Sequence, residues 1–240
     1  MGRRTMNIEI IEETKEYLVV YKPSGVATQS ANAFTKDAVS EVTTYLAGKE
    51  GKIPYVGLVN RLDQPVEGLL VFAKNKHAAA YLSNQLSGAN KTCKKEYLAV
   101  VSVDETKVLP IKEPITMVDY LDKDSQKKRA VITSEKGGKR AELTYEVLQR
   151  KENLALVRIH LKTGRFHQIR VQFASRGMSL IGDQKYASEL SQKLTDAYGV
   201  KYVALCASKL TFLEPGTKKE VVCEVTPQNP IFRTEWEATG

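Results

Sequence analysis

Cysteine is scarce in this chain: Cys93, Cys206 and Cys223 are all that 240 residues contain. Three widely spaced thiols fit neither a disulfide framework nor a zinc pattern, so they read as reduced packing residues. No apolar run approaches the roughly 18–20 residues that cross a bilayer, and no signal-peptide core is visible. Internal repeats and low-complexity linkers are lacking too. So are metal-spaced His/Cys clusters and a dinucleotide-type glycine motif. These absences exclude membrane, secreted and collagen-like classes. They point to a cytoplasmic protein. What is abundant is positive charge: 36 Lys and Arg against 28 Asp and Glu, a formal net charge of +8. With 42% apolar and 27% charged residues the composition is that of a folded domain. A basic balance favours a polyanionic partner, commonly nucleic acid, although +8 spread evenly would signify only solubility.

The chain opens with two strand-like runs, Ile8–Glu13 and Tyr17–Lys22, the second stopped by Pro23-Ser24-Gly25. Ala38, Val39, Val42 and Leu46 have helical spacing. Val56–Val59 reads as a short strand and Gly68–Lys74 as a buried one. Asn75 is placed to cap a helix over His77–Leu86, and Lys94–Val101 is again strand-like. A loop punctuated by Pro110 and Pro114 leads to a basic, glycine-containing stretch. Strands follow over Ala141–Leu148 and Leu154–Leu161, then a helix from about Arg165 to Ala174. Val203–Phe212 and Glu220–Val225 are the last strands. The expectation is one mixed, strand-rich domain over residues 1–240 without a clean internal boundary.

Three places carry candidate chemistry. Asn60-Arg61-Leu62-Asp63 sits between two apolar strands, where scaffolds place reactive groups. Read alone, a surface ion pair in a turn is the simpler account of it. Thr163-Gly164-Arg165-Phe166-His167-Gln168-Ile169-Arg170 puts two arginines and a histidine at a helix mouth, a setting that suits anions. Read alone, His167 is more simply a structural hydrogen-bond partner and Arg170 part of a solvated face. In Lys95-Glu96-Tyr97 a tyrosine enters a strand, where packing is its commonest role.

Together these segments resemble the RluA family of RNA pseudouridine synthases. Arg61-Leu62-Asp63 with Gly68–Lys74, Lys95-Glu96-Tyr97, Thr163–Val171 and Gly182-Asp183-x-x-Tyr186 follow the family's motifs in order. Tyr17–Gly25 is similar to its opening strand and Lys-Pro turn. The match covers about residues 8–226, and four ordered motifs are specific where one is weak. The resemblance implies an α+β pseudouridine synthase fold, with a mixed, largely antiparallel central sheet flanked by helices and loops and a catalytic cleft across the middle. It implies a cofactor-free isomerisation of uridine in ribosomal or transfer RNA: the C1′–N1 bond is cut, the uracil turns, and C1′ is joined to C5. On this resemblance Asp63 is the catalytic aspartate, Tyr97 the active-site tyrosine and Arg165 the arginine that pairs with the aspartate. Arg61 helps displace the target base. Leu62, His167, Gln168 and Arg170 complete the substrate-binding set.

The chemistry is coherent with that assignment. A guanidinium beside a carboxylate favours its ionised form and fixes its orientation. A stacked uridine must be flipped out to be reached, and an aromatic ring can stack on it. The sequence departs from the family at Asn60 (often His), Val66-Glu67 (Thr-Ser), Phe166 (Thr) and Gln172 (His). These changes bear on substrate choice; Glu67 in particular is expected to add negative charge near RNA phosphate. No separate S4 RNA-binding domain is expected. RNA backbone contacts then fall to Lys127, Lys128, Arg129, Lys136, Lys139 and Arg140 around a Gly-Gly turn, which could equally be a solvated charged hairpin. RNA is the expected partner, with no membrane and no obligate protein partner, the enzyme acting as a monomer. Two alternatives stand beside this reading. One is a non-catalytic RNA-binding or chaperone module that retains the fold. The other is an N-glycoside hydrolase using Glu67 as a second carboxylate.

Overall fold

A computed structural model describes residues 7–30, 36–51, 53–87, 92–234 and 236. The chain falls into two compact units, Met1–Lys94 with Ala207–Thr226 and Lys95–Cys206 with Pro227–Gly240. Among the described residues no helix is long and apolar enough to cross a membrane.

The first unit is organised by two wholly buried strands. It contains β1 (Glu9–Glu13), β2 (Tyr17–Lys22), α1 (Ala38–Glu50), β3 (Gly57–Leu58), β4 (Glu67–Ala73) and α2 (Lys76–Ser87). Late in the chain come β10 (Leu205–Leu213) and β11 (Glu220–Glu224), β10 joining this unit from Ala207. The ladders β1–β2, β2–β4, β3–β4 and β10–β11 are antiparallel. Every residue of β2 and β4 is buried, which is why both read as continuous apolar runs. Tyr17, Val19, Leu69, Val71 and Ala73 point to one face and pack with Ala78 and Leu82 of α2 and with Leu210, Phe212 and Cys223. Burying each of the valine, leucine and phenylalanine side chains among them contributes about 1.5–3 kcal/mol. The expected cap is present: Asn75 Oδ1 accepts from Ala78 N at 2.8 Å. α1 has a capping box between Asp37 and Ser40 and stops at Gly51, whose φ is 69°.

The second unit holds β5 (Lys94–Ser102), β6 (Ile115–Asp124), β7 (Arg129–Thr133), β8 (Lys139–Lys151) and β9 (Leu154–Leu161), with α3 (Gln168–Ala174), α4 (Glu189–Ala197) and α5 (Ile231–Thr234). The strand order is β5-β9-β8-β6-β7, all neighbours antiparallel. Ala141, Leu143, Tyr145 and Val147 alternate inward along β8, and Tyr145 meets Phe173 of α3 edge-on at 5.0 Å. A second cluster gathers Val100, Leu154, Ile181, Val200, Ala204 and Ile231, with Trp236 packed against it. The fold class is α+β, as expected, with three corrections. The stretch read as loop and basic segment contains β6 and β7. Their charges mislead because Asp122 and Lys123 stay exposed near the strand's end, while Asp119, on the face of the buried Met117 and Leu121, is satisfied by Gln172 and Arg176. α4 was not foreseen. α3 carries the helically spaced Ile169 and Phe173 but begins only at Gln168, three residues into the Arg165–Ala174 stretch.

Candidate active site

In the first unit, Asn60–Val66 connects β3 to β4, and its backbone is tied down at several points. Thr28 is buried; its Oγ1 donates to Leu62 O at 2.7 Å and accepts from Leu62 N at 3.2 Å. Gln64 O accepts from Gly25 N at 2.9 Å, and Gln64 Nε2 donates to Gly25 O at 3.0 Å. Asp63 O accepts from Val66 N, closing the turn. The Asn60 side chain acts as a short strand: Nδ2 donates to Leu69 O at 3.2 Å and Oδ1 accepts from Val71 N at 2.8 Å. Arg61 is exposed, Leu62 is buried and Asp63 is half-buried. The loop therefore holds a partly accessible carboxylate on a fixed backbone.

Beneath it lies a residue that sequence reasoning quoted in a motif but gave no role. Lys22 has no exposed surface, and its Nζ donates to the carbonyls of Val26 at 2.8 Å, Pro23 at 3.0 Å and Gln64 at 3.3 Å. Burial pushes its pKa down to about 8, against the pull of Asp63 and Glu67, which favour the cation. Glu67 corrects an expectation. It is the first residue of β4, only 2% exposed, and accepts from Tyr21 Oη at 2.5 Å. A buried carboxylate facing a phenol and a lysine is not a loop charge near RNA phosphate, nor is it placed to activate water for hydrolysis. Gly68 follows with φ 119°; a Cβ there would lie 2.4 Å from Ala207 O.

In the second unit, Thr163–Arg170 forms the mouth of α3. Gln168 Oε1 accepts from Thr163 Oγ1 at 2.8 Å and from Arg165 N at 3.0 Å, while Thr163 Oγ1 accepts from Glu142 N. Gln168 Nε2 is buried without a hydrogen-bond partner among the described residues. Arg165 is exposed and its Nε donates to Arg140 O at 3.0 Å. His167 adopts φ 51°, a left-handed conformation that costs about 1–2 kcal/mol for a non-glycine residue. Its Nδ1 is 2.9 Å from Tyr186 Oη. Burial raises the Tyr186 pKa, so its hydroxyl keeps its proton in this contact. The guanidinium of Arg170 is 4% exposed and makes a two-pronged pair with Asp183, Nε–Oδ2 and Nη2–Oδ1 both at 2.7 Å. Its reading as part of a solvated face is thereby corrected. Tyr97 is 8% exposed on β5, opposite Ile159.

The basic residues divide into two sets. Lys127 and Lys128 lie in the β6–β7 turn with Arg129 opening β7; Lys136 lies in the β7–β8 turn with Lys139 and Arg140 opening β8. Five residues of β7 separate the two turns, roughly 16 Å at strand rise. All but the half-buried Arg129 are exposed. Arg140 pairs with Glu142 and belongs with the Arg165 loop.

Comparison with known proteins bears on the same residues. The family profile described as RNA pseudouridylate synthase matches residues 16–175, which include Asp63, Tyr97, Arg165 and Arg170. A protein named ribosomal large subunit pseudouridine synthase D from Zymomonas mobilis is 30% identical over 220 residues, covering 89% of this chain and 67% of its own. An uncharacterized RNA pseudouridine synthase of Bacillus subtilis is 35% identical over 223 residues, covering 91% and 69%. A ribosomal large subunit pseudouridine synthase C from Salmonella typhimurium is 30% identical, covering 93% and 68%. The chain thus spans about two thirds of these relatives. Two solved human structures share the fold: RNA pseudouridylate synthase domain containing 4 (TM-score 0.70, 19% identity, 92% of this chain and 89% of that one) and domain containing 1 (0.70, 21%, 97% and 89%).

Proposed function

This chain belongs to the family of RNA pseudouridylate synthases, isomerases that convert uridine to pseudouridine in RNA, and we propose that Asp63 is the carboxylate on which its reaction turns. The observation that carries this reading is the half-exposed Asp63 on a loop whose flanking backbone is fixed by Thr28, Gln64, Asn60 and the buried Lys22. Such preorganisation is what a reaction without a cofactor requires, because the carboxylate must meet a developing charge at the ribose without first rearranging. Tyr97 is the aromatic partner of the flipped uracil, and Arg165 the guanidinium of the catalytic set. Arg61, exposed beside Asp63, displaces the target base.

Leu62 keeps water from the carboxylate. The buried, unpartnered Gln168 Nε2 offers a donor to the substrate, since an orphan amide is costly unless something binds it. Arg170 positions α3 through Asp183. The two basic turns follow the RNA backbone. We read residues 1–240 as one catalytic domain, a reading supported by a family match over residues 16–175 that includes parts of both units. The substrate is ribosomal RNA, as the names of two of the relatives suggest, and the reaction belongs in the cytoplasm. Pseudouridine mapping of total RNA from cells with the gene, without it, and with Asp63→Asn tests this. Expected is at least one ribosomal position lost in both altered strains. Retention of every pseudouridine with Asp63→Asn overturns the assignment, and loss confined to transfer RNA moves the substrate.

A further inference from the structure

The second unit builds a platform around Phe166, at the mouth of α3. Its ring is 41% exposed, beside Arg165. It stacks on the His167 imidazole with centroids 3.8 Å apart and planes 22° apart. His167 is only 8% exposed and is held in turn: Nδ1 lies against Tyr186 Oη, the two rings meet edge-on, and Tyr186 Oη accepts from Ala130 N at 2.6 Å. The exposed ring is therefore the outermost layer of a rigid stack anchored to β7. A 3.8 Å stack leaves no space between the rings for an ammonium. Lys123 Nζ, 5.2 Å from the Phe166 centroid, accordingly covers the free side of the ring. Lys123 is itself exposed.

We propose that Phe166 is a nucleobase-stacking site that holds an unpaired base of the RNA substrate other than the target uridine, with Lys123 moving from the ring to that nucleotide's phosphate. The energetics favour the exchange. An exposed cation–π contact is worth about two- to fivefold in affinity, whereas a base stacked on an aromatic side chain is worth roughly five- to 150-fold. The ammonium that leaves the ring keeps a charged partner. A stacked base also needs a ring that does not move, and the His167–Tyr186 support supplies one at no further ordering cost.

This inference rests on the reading of the chain as an RNA-modifying enzyme, and the test separates the two. Binding of the full chain to a fluorescently labelled single-stranded oligouridine is compared with binding to the same strand carrying abasic sites, which preserves the phosphates. The wild type is expected to prefer the base-bearing strand. Phe166→Leu is expected to weaken binding to that strand by about tenfold while leaving abasic binding and the salt slope unchanged, because stacking releases no counterions. Phe166→Tyr should restore the preference. A Phe166→Leu protein that binds both strands as the wild type does overturns the stacking site. Equal weakening on both strands also overturns it, by showing that the ring merely supports the fold. A wild type that binds neither strand and modifies no RNA overturns the functional reading itself.

Discussion

The Arg170–Asp183 pair is a measurable support of the α3 mouth. Both side chains are essentially excluded from solvent, at 4% and 0% exposure, and they meet through two bonds of 2.7 Å. Asp183 Oδ1 also accepts from the amides of Lys185 at 2.8 Å and Tyr186 at 3.2 Å. Asp183→Asn keeps the shape and one carbonyl oxygen for those amides, so it isolates the ion pair. Removing one partner of a buried pair costs about 3–5 kcal/mol, because the remaining charge stays buried. For a chain of this size each kcal/mol moves the melting midpoint by about 2–4 °C, giving a fall of roughly 6–20 °C. Trp236, the sole tryptophan, packs on the second unit's own cluster, so its fluorescence reads the unit that contains the pair. Replacing both charges, Arg170→Met with Asp183→Leu, also removes their desolvation cost. It leaves the buried Tyr186 amide without its acceptor, at about 1–3 kcal/mol, and forfeits the part-buried Lys185 contact, worth about 0.5–1.5 kcal/mol. The double variant should therefore be more stable than Asp183→Asn. A midpoint shift under about 3 °C for Asp183→Asn, or a double variant less stable than the single one, refutes this account.

Two further outcomes follow from the first unit. Gly68→Ala sets a methyl group against the Ala207 backbone at a φ of 119°, where no L side chain is comfortable. It should cost more than about 3 kcal/mol, seen as insoluble protein or a lowered urea midpoint; a midpoint equal to the wild type contradicts the geometry. Lys22 gives a pH signature. Its folded pKa of about 8 lies below the ordinary 10.5 because burial disfavours the cation. The unfolded chain therefore binds more protons between pH 8 and 10.5, and stability rises with pH across that window. Below pH 8 the penalty is complete. Lys22→Met should flatten the slope of unfolding free energy against pH over that interval, measured by urea titration, and an unchanged slope counts against the buried cation.

Much of this was legible in the sequence because local pattern and tertiary demand coincide. β2 and β4 are buried on both faces, so their apolar runs could hardly be read otherwise, and Asn75 is a cap in the chain as in the fold. What escaped was set by long-range partners. β6 carries Asp119, Asp122 and Lys123, which look like loop until β8 pairs with their backbone and Gln172 satisfies Asp119. Glu67 looks like a loop carboxylate until Tyr21, 46 positions earlier, is found against it. Lys22 was visible as a Lys-Pro turn, yet nothing local told that its ammonium ends among carbonyls from two loops. His167 meets Tyr186, 19 positions later, a pairing that no local pattern reveals.

The Asn60 amide has a consequence for motion. By bonding both Leu69 O and Val71 N it makes the Asp63 loop a side branch of a core strand. The loop cannot swing out alone: it must release two bonds to β4, and the freed Val71 amide becomes open to exchange with water. Loop opening and the exchange of one core amide proton are therefore the same event, and the slowness of that proton sets a clock on how rarely the carboxylate loses its place.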